Sequence, residues 1–367
     1  MAAQFYFAEK LFTGEKLLEN YIIQVDGGKI IGLKPQSQYA NIGTIHLGEN
    51  VLVAPAFLDI QLYGAHGRLL SVFPDKETVE AIYQYSKDGG AAYSMPTVST
   101  NSYPVIFQCI DAVRAYWEND GKGILGLQVE GPWISKAKRG VHLEKYIFSP
   151  TLEEAKALLD YGKGIIKMIT LAPEVVAPEI IDYIQEQNII VSVGHSDADY
   201  ETATRIITNC NIPTATHLYN AMSSLQHRAP GVVGAIFDHE KIMSSIIPDG
   251  HHVDFAAVRI AKKIMGNRLF AITDAVTATT LGEYPHELDG DKFIANGTLS
   301  GSALTMGKCL YNFVHHAGIE LEEALRMCSL YAAQAIGANQ RLGKIAVGYE
   351  AKFVVLDKDL QIKNIVD

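Results

Sequence analysis

Residues 212–231, Ile-Pro-Thr-Ala-Thr-His-Leu-Tyr-Asn-Ala-Met-Ser-Ser-Leu-Gln-His-Arg-Ala-Pro-Gly, decide how the chain is read. Ile212 to Ala215 is an apolar run that passes for a short buried strand. It leads straight into His217, then Asn220, Arg228 and a helix-breaking Pro230-Gly231. A histidine closing a strand has an ordinary explanation as a hydrogen-bonded core or surface residue. That explanation weakens once the same arrangement is found at the ends of other strands.

Working outward, apolar strands alternate with amphipathic helical patterns. Candidate strands are Val51–Ile60, Ala91–Pro96, Gly123–Val129, Gly164–Leu171, Ile189–Gly194, Ile212–Thr216, Lys241–Ile247 and Leu269–Thr273. The spacers read as helices over Lys76–Asp88, Pro104–Asn119, Leu152–Tyr161, Pro178–Gln187, Tyr200–Asn209 and Phe255–Met265. Such alternation implies parallel strands covered by helices, and eight units fit an α/β fold of the (β/α)8 barrel type. Two further helices are expected over Ala303–Ala317 and Leu321–Ile336. The two ends of the chain differ in texture. Tyr21–Val25, the turn Asp26-Gly27-Gly28 and Lys29–Leu33 read as a hairpin, and strand–turn–strand returns over Gly343–Asp357. Residues 1–50 and 343–367 are therefore expected to form one small β-sandwich domain beside a barrel over 51–342.

Composition excludes several classes. Of the 367 residues, 48% are apolar and 20% charged, the balance of a globular protein rather than a disordered one. The formal charge of −10 and the lack of a dense Lys/Arg run argue against nucleic acid. No stretch approaches the ~18 apolar residues of a membrane span, and Met-Ala-Ala-Gln-Phe-Tyr-Phe lacks a signal-peptide pattern, so a cytoplasmic location is expected. Cys109, Cys210, Cys309 and Cys328 show no C-x-x-C spacing and read as buried thiols.

In such a barrel the reactive groups stand where strands meet the loops at their C-terminal ends. The third strand ends in Glu130-Gly131-Pro132, the fifth in Gly194-His195-Ser196, the sixth in Thr216-His217 and the eighth in Thr273-Asp274-Ala275. Singly these read as a solvated strand end, a capping residue or a helix N-cap. Together they place two imidazoles and two carboxylates on one face. Two imidazoles and one carboxylate make a ligand set for Zn2+ or Fe2+ that leaves a position for water, whose pKa the metal lowers. Asp274 is the candidate for moving that water's proton to a leaving group.

Val53-Ala-Pro-Ala-Phe-Leu-Asp-Ile-Gln-Leu-Tyr-Gly64, Val129-Glu-Gly-Pro-Trp133, Val193-Gly-His-Ser196, Thr216-His-Leu-Tyr-Asn-Ala-Met222, Pro248-Asp-Gly-His-His-Val253, Ile272-Thr-Asp-Ala275 and Gly297-Thr-Leu-Ser-Gly-Ser302 recur in order along nearly the whole chain. In these elements the sequence resembles the N-acetylglucosamine-6-phosphate deacetylase family of the amidohydrolase superfamily. The resemblance implies hydrolysis of the acetamide of N-acetyl-D-glucosamine 6-phosphate to D-glucosamine 6-phosphate and acetate. Deacetylation of a related sugar phosphate such as N-acetylgalactosamine 6-phosphate is the alternative, and a metal-free binding protein is the non-catalytic one. It implies Glu130, His195 and His217 as metal ligands, Asp274 as acid/base and His142 as the group that polarises the carbonyl. It further implies that Val141, His142, Asn220, Ala221, Arg228, His252 and Leu299, Ser300 and Gly301 bind the sugar phosphate, with Arg228 able to reach across a homodimer. His66, His227, His251, His286, His315 and His316 are expected to be solvated or structural.

One departure concerns the metal. Many superfamily members carry His-x-His after the first strand, whereas this chain has Gln61-Leu62-Tyr63. Neither Gln nor Tyr is a strong ligand for a divalent transition metal at neutral pH, so one metal is expected.

Overall fold

The computed structural model describes residues 3–39 and 43–367; residues 1–2 and 40–42 of the expected terminal domain lie outside the described residues. Eight parallel strands follow one another in chain order around a barrel: Phe57–Leu62, Ala91–Ser99, Leu127–Glu130, Ile166–Leu171, Ile190–Val193, Thr214–Ala215, Met243–Ile246 and Leu269–Ala271. The first and last close on each other through a parallel bridge between Leu62 and Ala275. Asp274 N–H donates to Gln61 O at 2.9 Å and Tyr63 N–H to Ala275 O at 2.8 Å, so the seam runs directly beneath the site.

The covering helices follow the expected periodicity. In Tyr200–Asn209 the buried residues are Ala203, Ile206 and Ile207, an i, i+3, i+4 stripe, and Asp199 caps the start by accepting from Thr202 N–H at 2.8 Å. Leu152–Tyr161 opens with a capping box between Thr151 and Glu154. The barrel interior is partly polar. Asp59, Gln61, Gln128, Thr170, Ser192 and Thr216 are all buried, and their side chains bond to one another or to neighbouring strands, as buried polar groups must.

The two chain ends share a seven-stranded sheet built from Gln4–Phe12, Leu17–Asp26, Lys29–Pro35, Ile45–His46, Leu52–Pro55, Phe353–Leu356 and Ile362–Val366. It curls until Ile30 N–H reaches Tyr349 O at 2.9 Å, enclosing a separate apolar core that includes Leu11, Ile23, Val53 and Phe353.

Four differences from the sequence reading have local causes. The single strand expected over Val51–Ile60 is two: Leu52–Pro55 pairs with the terminal sheet, and Phe57–Leu62 enters the barrel. A continuous apolar run gives no sign of a change of partner. A helix over Gly231–Asp238 begins where Pro-Gly was read as a breaker. Its Val232 N–H is satisfied by Ser223 Oγ at 2.7 Å, a cap too distant in sequence to read. The helix expected over Leu321–Ile336 breaks at Ser329, whose Oγ donates to Leu325 O at 2.7 Å. Finally, the segment after the eighth strand carries a three-stranded antiparallel sheet, Glu287–Asp289, Lys292–Ala295 and Thr298–Ser302, that leans over the barrel mouth. Among the described residues no helix is long and apolar enough to cross a membrane.

Candidate metal centre and active site

Three of the four strand-end residues turn sharply as their strands finish. His195, His217 and Asp274 have φ of 49°, 39° and 55°, a left-handed conformation uncommon for residues with a Cβ. Each such residue costs on the order of 1 kcal/mol or more and persists where the surroundings over-determine it. The turn swings each side chain from the barrel wall to the barrel axis.

The result is a buried cluster of Glu130, His195 and His217 with one ligand atom each within 4.8 Å of the others. Glu130 Oε1 lies 3.0 Å from His217 Nε2 and 3.4 Å from His195 Nε2, and the two Nε2 atoms are 3.2 Å apart. His195 Nδ1 bonds the carbonyl of Lys138 at 2.8 Å, which assigns the ring proton to Nδ1 and leaves the Nε2 lone pair facing inward. Lone pairs and a carboxylate oxygen converging on one point repel unless a cation lies between them, so the donor set fits a divalent metal ion. Burial by itself would raise the Glu130 pKa, but the surrounding imidazoles of His195, His142 and His217 outweigh it and hold the carboxyl well below its usual range.

Asp274 stands beside this cluster, buried, with burial raising its pKa against the opposing charge of His217. Gln61 Nε2 donates to Asp274 Oδ1 at 2.8 Å and lies 3.1 Å from Glu130 Oε1. The Tyr63 hydroxyl donates to Glu130 Oε2. Gln61 and Tyr63 thus act as hydrogen-bond donors toward carboxylates where His-x-His would supply ligands. His142 comes from the loop after the third strand, and its Nε2 is 3.2 Å from Glu130 Oε2. Thr100 N–H points at His142 Nδ1 at 3.3 Å, and Thr100 Oγ1 lies 2.7 Å from the same atom. A backbone N–H cannot accept, so Nδ1 is the acceptor and the proton of neutral His142 sits on Nε2. Burial, then the proximity of the His195 ring, lower the His142 pKa and favour that neutral form. Gly131 is required here: a Cβ at its φ of +78° would come within 2.1 Å of Thr100 Oγ1.

Tyr63, Glu130, His142, His195, His217 and Asp274 line a cavity of about 210 Å³. Val141, Asn220, Ala221, His252, Leu299, Ser300 and Gly301, the residues expected at the sugar phosphate, also line it. His252 is oriented by Asp249, whose Oδ2 is 2.6 Å from Nδ1. Gly301 lies against the strand end: a Cβ there would be 3.0 Å from Asp274 O and 2.4 Å from Val276 Cγ1. Arg228 is not brought to this cavity; it is exposed on the loop between Met222 and Gly231. His286, expected to be solvated or structural, is buried in the cavity wall with Nδ1 2.8 Å from Ser300 Oγ, and Tyr284 joins it there. No local pattern marks either residue, because their partners lie 14 or more positions away. His66 and His227 are exposed, and His251 bonds Asp291 at 2.8 Å.

The barrel, the strand-end ligand cluster and the carboxylate beside it define a metal-dependent hydrolase, and residues 53–367 match the model of the amidohydrolase family. The chain belongs to the amidohydrolase family. Among its relatives, N-acetylglucosamine-6-phosphate deacetylase of Haemophilus influenzae is 34% identical over 364 residues, covering 96% of this chain and 94% of the relative. N-acetylgalactosamine-6-phosphate deacetylase of Shewanella sp. (strain ANA-3) is 33% identical over 365 residues, covering 96% and 92%. The crystal structure of N-acetylglucosamine-6-phosphate deacetylase from Pasteurella multocida superposes with a TM-score of 0.94 at 34% identity, covering 100% of this chain and 98% of that one.

Proposed function

We propose that this chain hydrolyses the acetamide of N-acetyl-D-glucosamine 6-phosphate, giving D-glucosamine 6-phosphate and acetate. The observation that carries the reading is the convergence of Glu130 Oε1, His195 Nε2 and His217 Nε2 beside Asp274 and His142 in one buried cavity. Glu130, His195 and His217 would hold a divalent ion, Zn2+ or Fe2+, which when bound would supply the Lewis acidity to activate water near neutral pH and to polarise the acetyl carbonyl. Asp274 takes the proton of the attacking water and returns it to the departing amine. His142 donates its Nε2–H to the carbonyl oxygen as negative charge develops there. Gln61 and Tyr63 keep Asp274 and Glu130 oriented and offer no second ligand pair, which supports one ion per chain.

The sugar lies between this centre and a phosphate site formed by Asn220, Ala221 and His252, with Leu299–Gly301 covering the ring. Arg228 is outside the chain's own cavity, and in our reading it completes the neighbour's phosphate site in a homodimer, where its guanidinium fork suits a phosphate. Arg228→Met should raise KM for the phosphorylated sugar at least ~10-fold, a charge-assisted hydrogen bond being worth about 1.5–3 kcal/mol, and leave turnover of unphosphorylated N-acetylglucosamine unchanged. Equal losses on both substrates would remove the phosphate assignment. The terminal sheet and the barrel, each with its own apolar core, are two domains in this reading. Four free, buried cysteines favour a reducing, cytoplasmic setting.

Deacetylation of N-acetylgalactosamine 6-phosphate is the second reading, favoured by the Shewanella relative's name. The test is acetate release from both sugar phosphates side by side with defined metals. A higher kcat/KM for the gluco epimer is expected; a higher value for the galacto epimer exchanges the two readings, and no acetate from either ends both.

A further inference from the structure

Tyr284 joins three segments that meet behind His142. It precedes the three-stranded sheet over the barrel mouth, and it is 4% exposed. Its hydroxyl donates to Thr100 O at 2.5 Å and accepts from Leu143 N–H at 3.3 Å. Thr100 presents its own N–H and Oγ1 to His142 Nδ1, and Leu143 is the next residue after His142. One phenol therefore holds both the residue that faces the ring nitrogen and the peptide bonded to the histidine itself. The adjacent Glu283 pairs with Lys145 and accepts from Tyr146 O–H at 2.7 Å, gripping the same loop from its outer side. Burial pushes the Tyr284 phenol up to about 12, so it stays a neutral donor across the physiological range.

We propose that Tyr284 is a positioning residue for the deacetylation: it fixes the His142 loop against Thr100 so that the imidazole presents Nε2–H to the substrate carbonyl. The proposal rests on reading His142 as the carbonyl donor. It also gives the segment leading into the sheet that carries Leu299–Gly301 a task of its own: Tyr284, just ahead of the cover for the sugar, sets the group that acts on the acetamide.

Tyr284→Phe removes one oxygen and keeps the ring. Orienting partners of this kind are typically worth 10–100-fold, so kcat should fall by about tenfold or more while KM moves less than about twofold. A double-mutant cycle separates positioning from general damage: in a His142→Asn background, Tyr284→Phe should change kcat less than about twofold. Nitrogen-15 spectra of the imidazoles in the Zn2+-loaded protein should show the protonated Nε2 of His142 in the parent and a tautomer mixture in Tyr284→Phe. A loss that persists undiminished in the His142→Asn background, or unchanged His142 nitrogen shifts in Tyr284→Phe, overturns the proposal. Failure of the underlying reading looks different: His142→Asn itself would then leave turnover intact, while the nitrogen shifts would still report whether Tyr284 sets the ring.

Discussion

Glu130, His195, His217 and Asp274 stand at the ends of barrel strands, whereas Val141, His142 and Leu299–Gly301 stand on a loop and a small sheet outside the barrel. The first group is fixed by sheet hydrogen bonds and can hold left-handed backbone at three positions. In the second, the loop with His142 is held by single hydrogen bonds through Thr100 and Tyr284, and Leu299–Gly301 by its own small sheet and by Ser302 N–H on Asp274 O at 2.9 Å, with the pair of His286 and Ser300 beside it. In the proposed mechanism the two regions divide the work: the barrel ends carry the metal ligands and the acid/base, and the segments above carry the carbonyl donor and the sugar cover. Changes at strand ends should abolish turnover, and changes above them should grade it.

The largest effect is expected at Asp274. Asp274→Asn keeps the shape and removes both proton transfers, so kcat should fall on the order of 10³–10⁴-fold with the metal still bound. Near-normal turnover in a metal-loaded sample would break the assignment. His142→Asn removes one donor to a developing oxyanion, and a loss on the order of 100-fold in kcat is expected. A loss as deep as that of Asp274→Asn would erase the distinction between strand end and loop.

The smallest effect concerns His286, whose burial lowers its pKa to about 4 from 6.5. The sign follows from proton counting: between these values the unfolded chain binds the proton and the folded one does not, so stability falls as pH drops from about 6.5 to about 4. The loss is of order 3 kcal/mol at most. His286→Gln should remove that component, making the urea midpoint less pH-dependent than the parent's over this window. Identical pH profiles would show that His286 is not buried in solution as it is here.

How much the sequence disclosed follows the same division. The strand ends were legible because an apolar run closing on His, Glu or Asp carries both the element and its direction, and all four candidates lie at the barrel mouth. The loop residues Val141, His142 and Leu299–Gly301 are named through family resemblance and not through any local pattern, and they line the cavity. His286 and Tyr284 were not legible, because their meaning lies in partners far along the chain. The strand switch at Ala56 and the helix opening at Gly231 were hidden for a related reason: one depends on which sheet a run joins, the other on a cap from Ser223. Arg228 was named in the sequence reading but lies outside this chain's cavity, which a single chain cannot resolve by pattern.

In the proposed function one divalent ion per chain, held by Glu130, His195 and His217, is required for acetamide hydrolysis. Its most direct test is titration of chelator-stripped protein with Zn2+, with acetate release from N-acetyl-D-glucosamine 6-phosphate and bound metal measured at each point. Activity should start near zero, rise linearly and level off at about one equivalent per chain. Full activity in the stripped protein would show that no ion is required, and a rise that continues to two equivalents would show a second metal site.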